Sequence, residues 1–378
     1  MSEGKYKVLQ IQQDYIVRAS DAADIPEQIL KALPSDRFQT VAAYMHGKPA
    51  PGAQTSRADQ SVYFNFSKRQ LRGLRLMASW KLYRLCRREK FDAVICHRFK
   101  AVNLMLFLNR WLKIPLCVGI FHCIGDYDRK SRQRRGHKLT DQHWRFVGVS
   151  PAVKDYLVSK NAGFTPANTV SITNTIDVSN LQLMTREQAR QKLGLPAEGR
   201  IIGTIGRLVP VKAHDCLIQA FSRVSEQHPD AHLAIIGGGP EQARLEALIA
   251  SLRLQGRVFL TGAREEAMLY VRAFDIWTMP SLSEGLGVAL IEGMYGKLPV
   301  IASDIPAMRP LTDGAGGISV PPDDAEALAA ALDKYLSLTD AELKEKGQNA
   351  YDYFMRNHDI EVFRESYRRL IEDNIRRD

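Results

Sequence analysis

The sequence predicts an α/β protein built from two doubly wound, Rossmann-like domains facing one cleft. Three observations carry this. At 378 residues the chain exceeds the usual size of a single domain. Short apolar runs alternate with longer helical patterns along both halves, the mark of parallel α/β units. The charge also divides between the halves: residues 1–180 hold 29 Lys and Arg against 14 Asp and Glu, and the remainder 23 against 28. The whole excess of +10 therefore belongs to the first half, which is expected to meet an anionic partner: a membrane, a nucleic acid or a phosphorylated acceptor.

In the first half, apolar runs predict strands at Tyr6–Ile11, Phe38–Ala43, Val62–Phe66, Ala93–Cys96, Leu116–Ile120, Phe146–Val149 and Thr169–Ile172. Helical patterns fill the gaps, notably Lys68–Lys90 and Pro151–Lys160. A polar connector, Asp177 to Arg200, leads into the second half. Strands are predicted there at Ile201–Ile205, Leu233–Ile236, Val258–Leu260, Ile276–Met279, Val300–Ala302 and Ile318–Val320, with helices near 213–228, 240–253, 265–273 and 323–337. Two more helices, near 340–355 and 359–375, end the chain.

Composition excludes several classes. With 45% hydrophobic and 25% charged residues the chain reads as an ordinary globular protein. Its first residues lack the apolar core of a signal peptide. The longest apolar region, Val102 to Ile124, is interrupted by Asn109, Arg110 and Lys113, so it does not read as a membrane span. The five cysteines form no C-x-x-C pair, which points to reduced thiols in a cytoplasmic protein.

The chemistry-bearing segments follow strands of the second half, where open α/β sheets bind ligands. After Ile276–Met279, residues 284–292 read Glu-Gly-Leu-Gly-Val-Ala-Leu-Ile-Glu. A helix starting at Gly287 would put Glu284 just outside its N-terminus and Glu292 inside it. Unpaired N–H groups there suit a phosphate, and glycines at 285 and 287 allow close approach. The two carboxylates could then accept hydrogen bonds from sugar and ribose hydroxyls. After Ile205 come Arg207 and Lys212, two cations able to clamp a diphosphate. Gly237-Gly238-Gly239-Pro240 and Thr261-Gly262-Ala263-Arg264 follow the next two strands. Taken singly, each has a bland alternative: a solvated ion, a helix-entry turn, a surface acid.

Taken in order, Gly206-Arg207…Lys212, Gly237-Gly238-Gly239-Pro240, Thr261-Gly262, Pro280-Ser281 and Glu284-x7-Glu292 resemble the family 4 retaining glycosyltransferases of the GT-B fold, similar to those that build bacterial lipopolysaccharide core and surface glycans. In the first half, Phe91-to-His97 resembles the strand ending in a cleft-facing histidine, Phe121-His122 the position of the active-site histidine, and Asn174-Thr175-Ile176-Asp177 an interdomain motif. The resemblance implies an acceptor-binding domain over 1–178, with 358–378 packing back on it, and a nucleotide-sugar-binding domain over 179–357. It implies that Arg207 and Lys212 bind the diphosphate with N–H groups near Gly285 and Leu286. Glu284 would contact the donor sugar and Glu292 the ribose, with Gly238, Gly239 and Arg264 lining the donor. His122, Arg207, Lys212 and Glu284 are the expected catalytic set; Arg18, His97, His122 and Asn174 are the acceptor side. For both histidines the alternative is a hydrogen-bonded structural imidazole.

Departures are visible too. The stretch Gln12–Ser20 lacks the family's usual Gly-Gly, leaving Arg18 to supply positive charge. Thr175 and Ala213 stand where glycines are usual. The expected reaction is a retaining hexosyl transfer to a hydroxyl of a glycan or glycolipid, without metal or other cofactor and with a UDP-sugar favoured. Rivals are a sugar-nucleotide epimerase, a phosphorylase, or a non-catalytic sugar-nucleotide binder. No nucleic-acid motif occurs, so nucleic acid is not expected. The basic stretches 68–90 and 129–138 are expected to touch an anionic membrane from its cytoplasmic face, with the cluster 129–135 alternatively meeting acceptor phosphates.

Overall fold

The computed structural model describes residues 4–15, 22–52, 55–67, 69–71 and 75–375. The chain divides into two compact units, one running to Asn174 and resumed from Ile360, the other spanning Thr175–Asp359.

The first unit runs β1 (Tyr6–Asp14), α1 (Ile25–Lys31), β2 (Phe38–His46), β3 (Gln60–Tyr63), α2 (Leu76–Glu89), β4 (Ala93–His97), α3 (Arg98–Leu112), β5 (Leu116–Phe121), α4 (Lys130–Leu139), β6 (Trp144–Gly148), α5 (Pro151–Ser159) and β7 (Thr169–Ser171). Its strands form one parallel sheet ordered β3-β2-β1-β4-β5-β6-β7. Central strands such as β4 are buried at every position, because helices cover both faces of a parallel sheet. Turn chemistry sets the helix starts. The Asp24 carboxylate accepts from Glu27 N–H, and the Ser150 hydroxyl accepts from Val153 N–H with Pro151 opening α5.

The second unit contains α6 (Arg186–Leu193), β8 (Arg200–Ile205), α7 (His214–Val224), β9 (Ala231–Ile236), α8 (Gln242–Ser251), β10 (Val258–Leu260), β11 (Ile276–Met279), α9 (Val288–Tyr295), β12 (Val300–Ser303), α10 (Arg309–Gly314), β13 (Ile318–Val320), α11 (Ala325–Leu336) and α12 (Asp340–Asn357). Its parallel sheet is ordered β10-β9-β8-β11-β12-β13, so the strand order reverses between β8 and β11. The last helix, α13 (Ile360–Glu372), belongs to the first unit. Its Ile360, Phe363, Tyr367 and Ile371 join that unit's core, Arg364 donates to Gln28, and Arg37 pairs with Glu372 at 2.7 Å.

Three expectations need correction. The helix expected over 68–90 is shorter, beginning at Leu76, because Arg75 takes a left-handed conformation with φ of 52° that an α-helix does not accommodate. Leu71, Ala78, Leu82 and Leu85 are nevertheless buried. The connector 177–200 is not without structure: α6 lies in it, opened by a Thr185–Gln188 capping box. Its Arg190, 1% exposed, donates to the carbonyls of Ala273, Ala197 and Gly199 and pairs with Asp275 at 2.6 Å. The helix expected near 265–273 is a 3₁₀ segment, Ala267–Ala273, entered through left-handed Glu266.

Candidate functional site

The reversal between β8 and β11 is where a ligand-binding crevice is expected in such a sheet, and the loops leaving these two strands are joined. Leu282 N–H donates to the Val211 carbonyl at 2.9 Å, and Lys212 Nζ lies 2.6 Å from Glu284 Oε1. Both side chains are mostly buried, at 19% and 15% exposure. Two residues singled out from sequence for a ligand thus hold each other. Glycine at 287 has a physical cause. It precedes α9 with φ of 93°, and a Cβ there would sit 3.2 Å from Met308 Cγ. No side chain among the described residues caps α9, and Glu292 is buried in its second turn, 7% exposed.

The β8 loop also packs side by side with the two loops after β9 and β10 through their main chains. Leu208 N–H donates to the Gly238 carbonyl, Glu241 N–H to the Leu208 carbonyl, and Gly237 N–H to the Gly262 carbonyl, all at 3.0–3.1 Å. A Cβ on Gly237 would stand 1.8 Å from the Gly206 oxygen, and one on Gly239 2.3 Å from the Leu208 oxygen. Gly238 has no such neighbour, its nearest contact being Ala263 Cβ at 3.4 Å. The glycines are therefore there for backbone packing at 237 and 239, and Gly238 is the one left open on this floor. Arg207 and Arg264 are exposed.

The sequence reading missed His214. This residue is 3% exposed and its Nε2 lies 3.2 Å from the Arg207 carbonyl, bracing the loop that carries both cations. Burial pushes its ring down to about 4, so it is neutral at pH 7 and Nε2 donates.

In the first unit, His97 ends β4 and His122 follows β5, with His97 Nδ1 3.3 Å from His122 Nε2. Burial is the main force keeping both rings neutral. A protonated His122, and then the Arg98 charge, would push His97 down further, and Arg98 does the same to His122, which falls to about 3. His97 Nε2 is buried without a partner among the described residues. A buried lone pair is tolerated more readily than an orphaned N–H. The hydrogen-bond pattern therefore assigns the proton to His97 Nδ1, donated to His122. His122 is then left with its proton on Nδ1, a donor rather than a base. Arg98, which follows His97 in the chain, has φ of 67°. Asn174 is 4% exposed; its N–H donates to the Val149 carbonyl, and its Oδ1 has no partner among the described residues. Arg18 lies outside the described residues.

Both halves match family models. Residues 27–180 match the model described as Glycosyltransferase Family 4, and residues 185–353 the one described as Glycosyl transferases group 1. The chain belongs to the family 4 glycosyltransferases. Among curated members, a phosphatidyl-myo-inositol mannosyltransferase of Mycobacterium leprae is 32% identical over 248 residues, 64% of this chain and 63% of that protein. The lipopolysaccharide core biosynthesis glycosyltransferase LpsE of Rhizobium meliloti is 31% identical over 150 residues, 39% of this chain and 43% of its own length. The chain thus aligns with less than two thirds of the length of these relatives. Among solved GT-B folds, Anabaena HepE with UDP and glucose superposes with a TM-score of 0.79 at 18% identity, covering 97% of this chain and all of that one. Sucrose-phosphate synthase of Thermosynechococcus elongatus gives 0.79 at 18% identity, covering 98% and 99%.

Proposed function

We propose that the protein transfers a hexosyl group, with retention, from a nucleotide-diphosphate sugar to a hydroxyl of a glycan or glycolipid acceptor, in the synthesis of lipopolysaccharide core or a related surface glycan. The observation that carries this is the Lys212–Glu284 pair at the β8/β11 reversal, beside the uncapped start of α9 and the loop bearing Arg207. An incoming diphosphate can take over Lys212 and join Arg207, while Glu284 turns to the sugar hydroxyls; charge leaves on the diphosphate, where both cations stabilise it. Metal is not required for that step. The leaving phosphate can take the acceptor proton in a front-face attack. The related mannosyltransferase and LpsE support a glycolipid or core acceptor, and the UDP held by HepE supports a UDP-sugar.

A peripheral membrane contact is part of this reading. No helix among the described residues is long and apolar enough to cross a membrane. However, α2 and α3 expose Leu76, Trp80, Phe107 and Trp111, with Arg84 4.8 Å above the Trp80 ring. Aromatics among arginines suit a lipid headgroup region.

Incubation with labelled nucleotide sugars tests the reading. Slow nucleotide release from one donor, accelerated by a lipid-linked acceptor and unaffected by EDTA, is expected. Binding without release from any donor would leave a non-catalytic sugar-nucleotide binder, and loss in EDTA restored by magnesium would overturn the metal-free step.

A further inference from the structure

The first unit holds a small cationic pocket that the transfer chemistry does not use. A hollow of about 150 Å³ is lined by Arg75, Phe99, Asn103, Ser131, Arg132 and Arg135. Three guanidiniums face it, and none of the lining residues is acidic. Each arginine is held in place by the protein yet spends little of its hydrogen-bonding capacity. Arg75 donates to the Lys100 carbonyl at 3.5 Å, Arg132 to the Asp126 carbonyl at 2.7 Å, and Arg135 to Asn103 Oδ1 at 3.4 Å. Arg132 also lies 4.2 Å above the Phe99 ring. With five N–H donors on each guanidinium, most remain uncommitted among the described residues, and Arg75 Nε is buried with no partner among them. Burial, and then the charges of Arg135 and Arg132, make protonated Arg75 harder to hold. Three like charges around one hollow are costly, and an anion relieves that cost.

We propose that this pocket binds a phosphate group carried by the acceptor. A phosphate offers more acceptor oxygens and more charge than a carboxylate, which suits three converging forks. The hollow is too small for a nucleotide. Its place matches an acceptor: Phe99 lies two residues past His97 at the end of β4, and Ser131 lies in the first turn of α4, after the loop that begins with His122. Arg98 links the two places, since both His122 and Asp126 feel its charge, and Asp126 also feels that of Arg132. A larger hollow of about 470 Å³, lined by Lys5, Lys7, Lys90, Asp59 and Asp92 among others, lies at the opposite ends of the strands. Its acids are already bonded, Asp92 to Lys7 N–H and Asp59 to Thr40, so it carries no comparable demand for an anion.

The proposal rests on the transferase reading for the word acceptor, but its test reads binding. Calorimetry with inorganic phosphate and glucose 1-phosphate, and co-sedimentation with phosphatidylcholine vesicles with and without phosphatidic acid, are run on the whole chain. The variants are Arg132→Gln, Arg135→Gln and Asn103→Asp, with Arg223→Gln on α7 as control. Thermal melts identify any variant that misfolds, and exposed Arg135 is the substitution least able to do so. Wild type and control should bind a phosphate probe. Arg135→Gln should weaken this roughly tenfold or more, and the carboxylate of Asn103→Asp should abolish it, with UDP affinity unchanged in all. Loss with the sugar phosphate assigns a water-borne acceptor; loss confined to phosphatidic acid vesicles assigns a lipid one. No phosphate binding by wild type, or equal binding by all variants, overturns the pocket. Phosphate binding without UDP binding would instead overturn the transferase reading and leave the pocket standing.

Discussion

Glu284 and Glu292 differ in where they sit, the first beside the Lys212 loop and the second inside α9. Glu284 is already engaged with Lys212, so Glu284→Ala removes a partner and frees a cation at once. Glu292→Ala, in the second turn of α9, should therefore weaken binding of a nucleoside diphosphate more than Glu284→Ala. Roughly 1.5–3 kcal/mol is expected for a lost charged hydrogen bond, and calorimetry decides; unchanged affinity in Glu292→Ala removes the ribose assignment. His214 sets a pH dependence. Its folded-state ring sits near 4, below the ordinary imidazole value of about 6.5. The unfolded chain thus binds the proton more readily, so stability is greatest above about pH 6.5 and falls as pH drops from there toward 4. The slope from this residue amounts to about 3 kcal/mol at most. Melting curves from pH 7 to 4 should show a shallower decline in His214→Gln, whose amide can keep the bond to the Arg207 carbonyl. Parallel declines in both proteins would mean that other groups carry the acid sensitivity.

The interlocked loops after β8, β9 and β10 supply a contrast within one turn of chain. Gly237→Ala would drive a methyl into the Gly206 carbonyl and should lower stability by roughly 1–3 kcal/mol, whereas Gly238→Ala meets only Ala263. Denaturant titration of the pair checks this; equal midpoints would show that the loops part freely. How far such elements were legible follows from where their information lies. Strand β4 was readable because burial on both faces writes Val94-Ile95-Cys96 as one apolar run. The start of α2 was not, since the buried leucines continue the helical period while the break is a backbone conformation at Arg75. Helix α6 was read as polar connector because its buried anchor is an arginine, which no apolar pattern reports. Glu284, Lys212 and Arg207 were singled out because their order along the chain is itself a pattern. The arginine pocket was not, because Arg75, Asn103, Arg132 and Arg135 come from three separate segments and only folding brings them together.

At the scale of the molecule, the positive charge of the first unit and its exposed aromatics predict membrane binding that depends on anionic lipid. Co-sedimentation with vesicles should fall with salt and drop when Arg84 and Arg87 are changed to glutamate, each base contributing about 1 kcal/mol near such a surface. Equal binding to neutral and anionic vesicles would remove the membrane from the account. The return of α13 to the first unit has a consequence for how the protein is made. Ile360, Phe363, Tyr367 and Ile371 complete a core begun at Val8, and the entire second unit is threaded between. On the ribosome the second unit has all its residues before the first one does. The half that emerges earliest must wait with an apolar face uncovered until its last helix appears. That interval is when a nascent chain is exposed to aggregation and to chaperones. Vectorial synthesis thus reverses the order of completion: the unit translated first is the unit finished last.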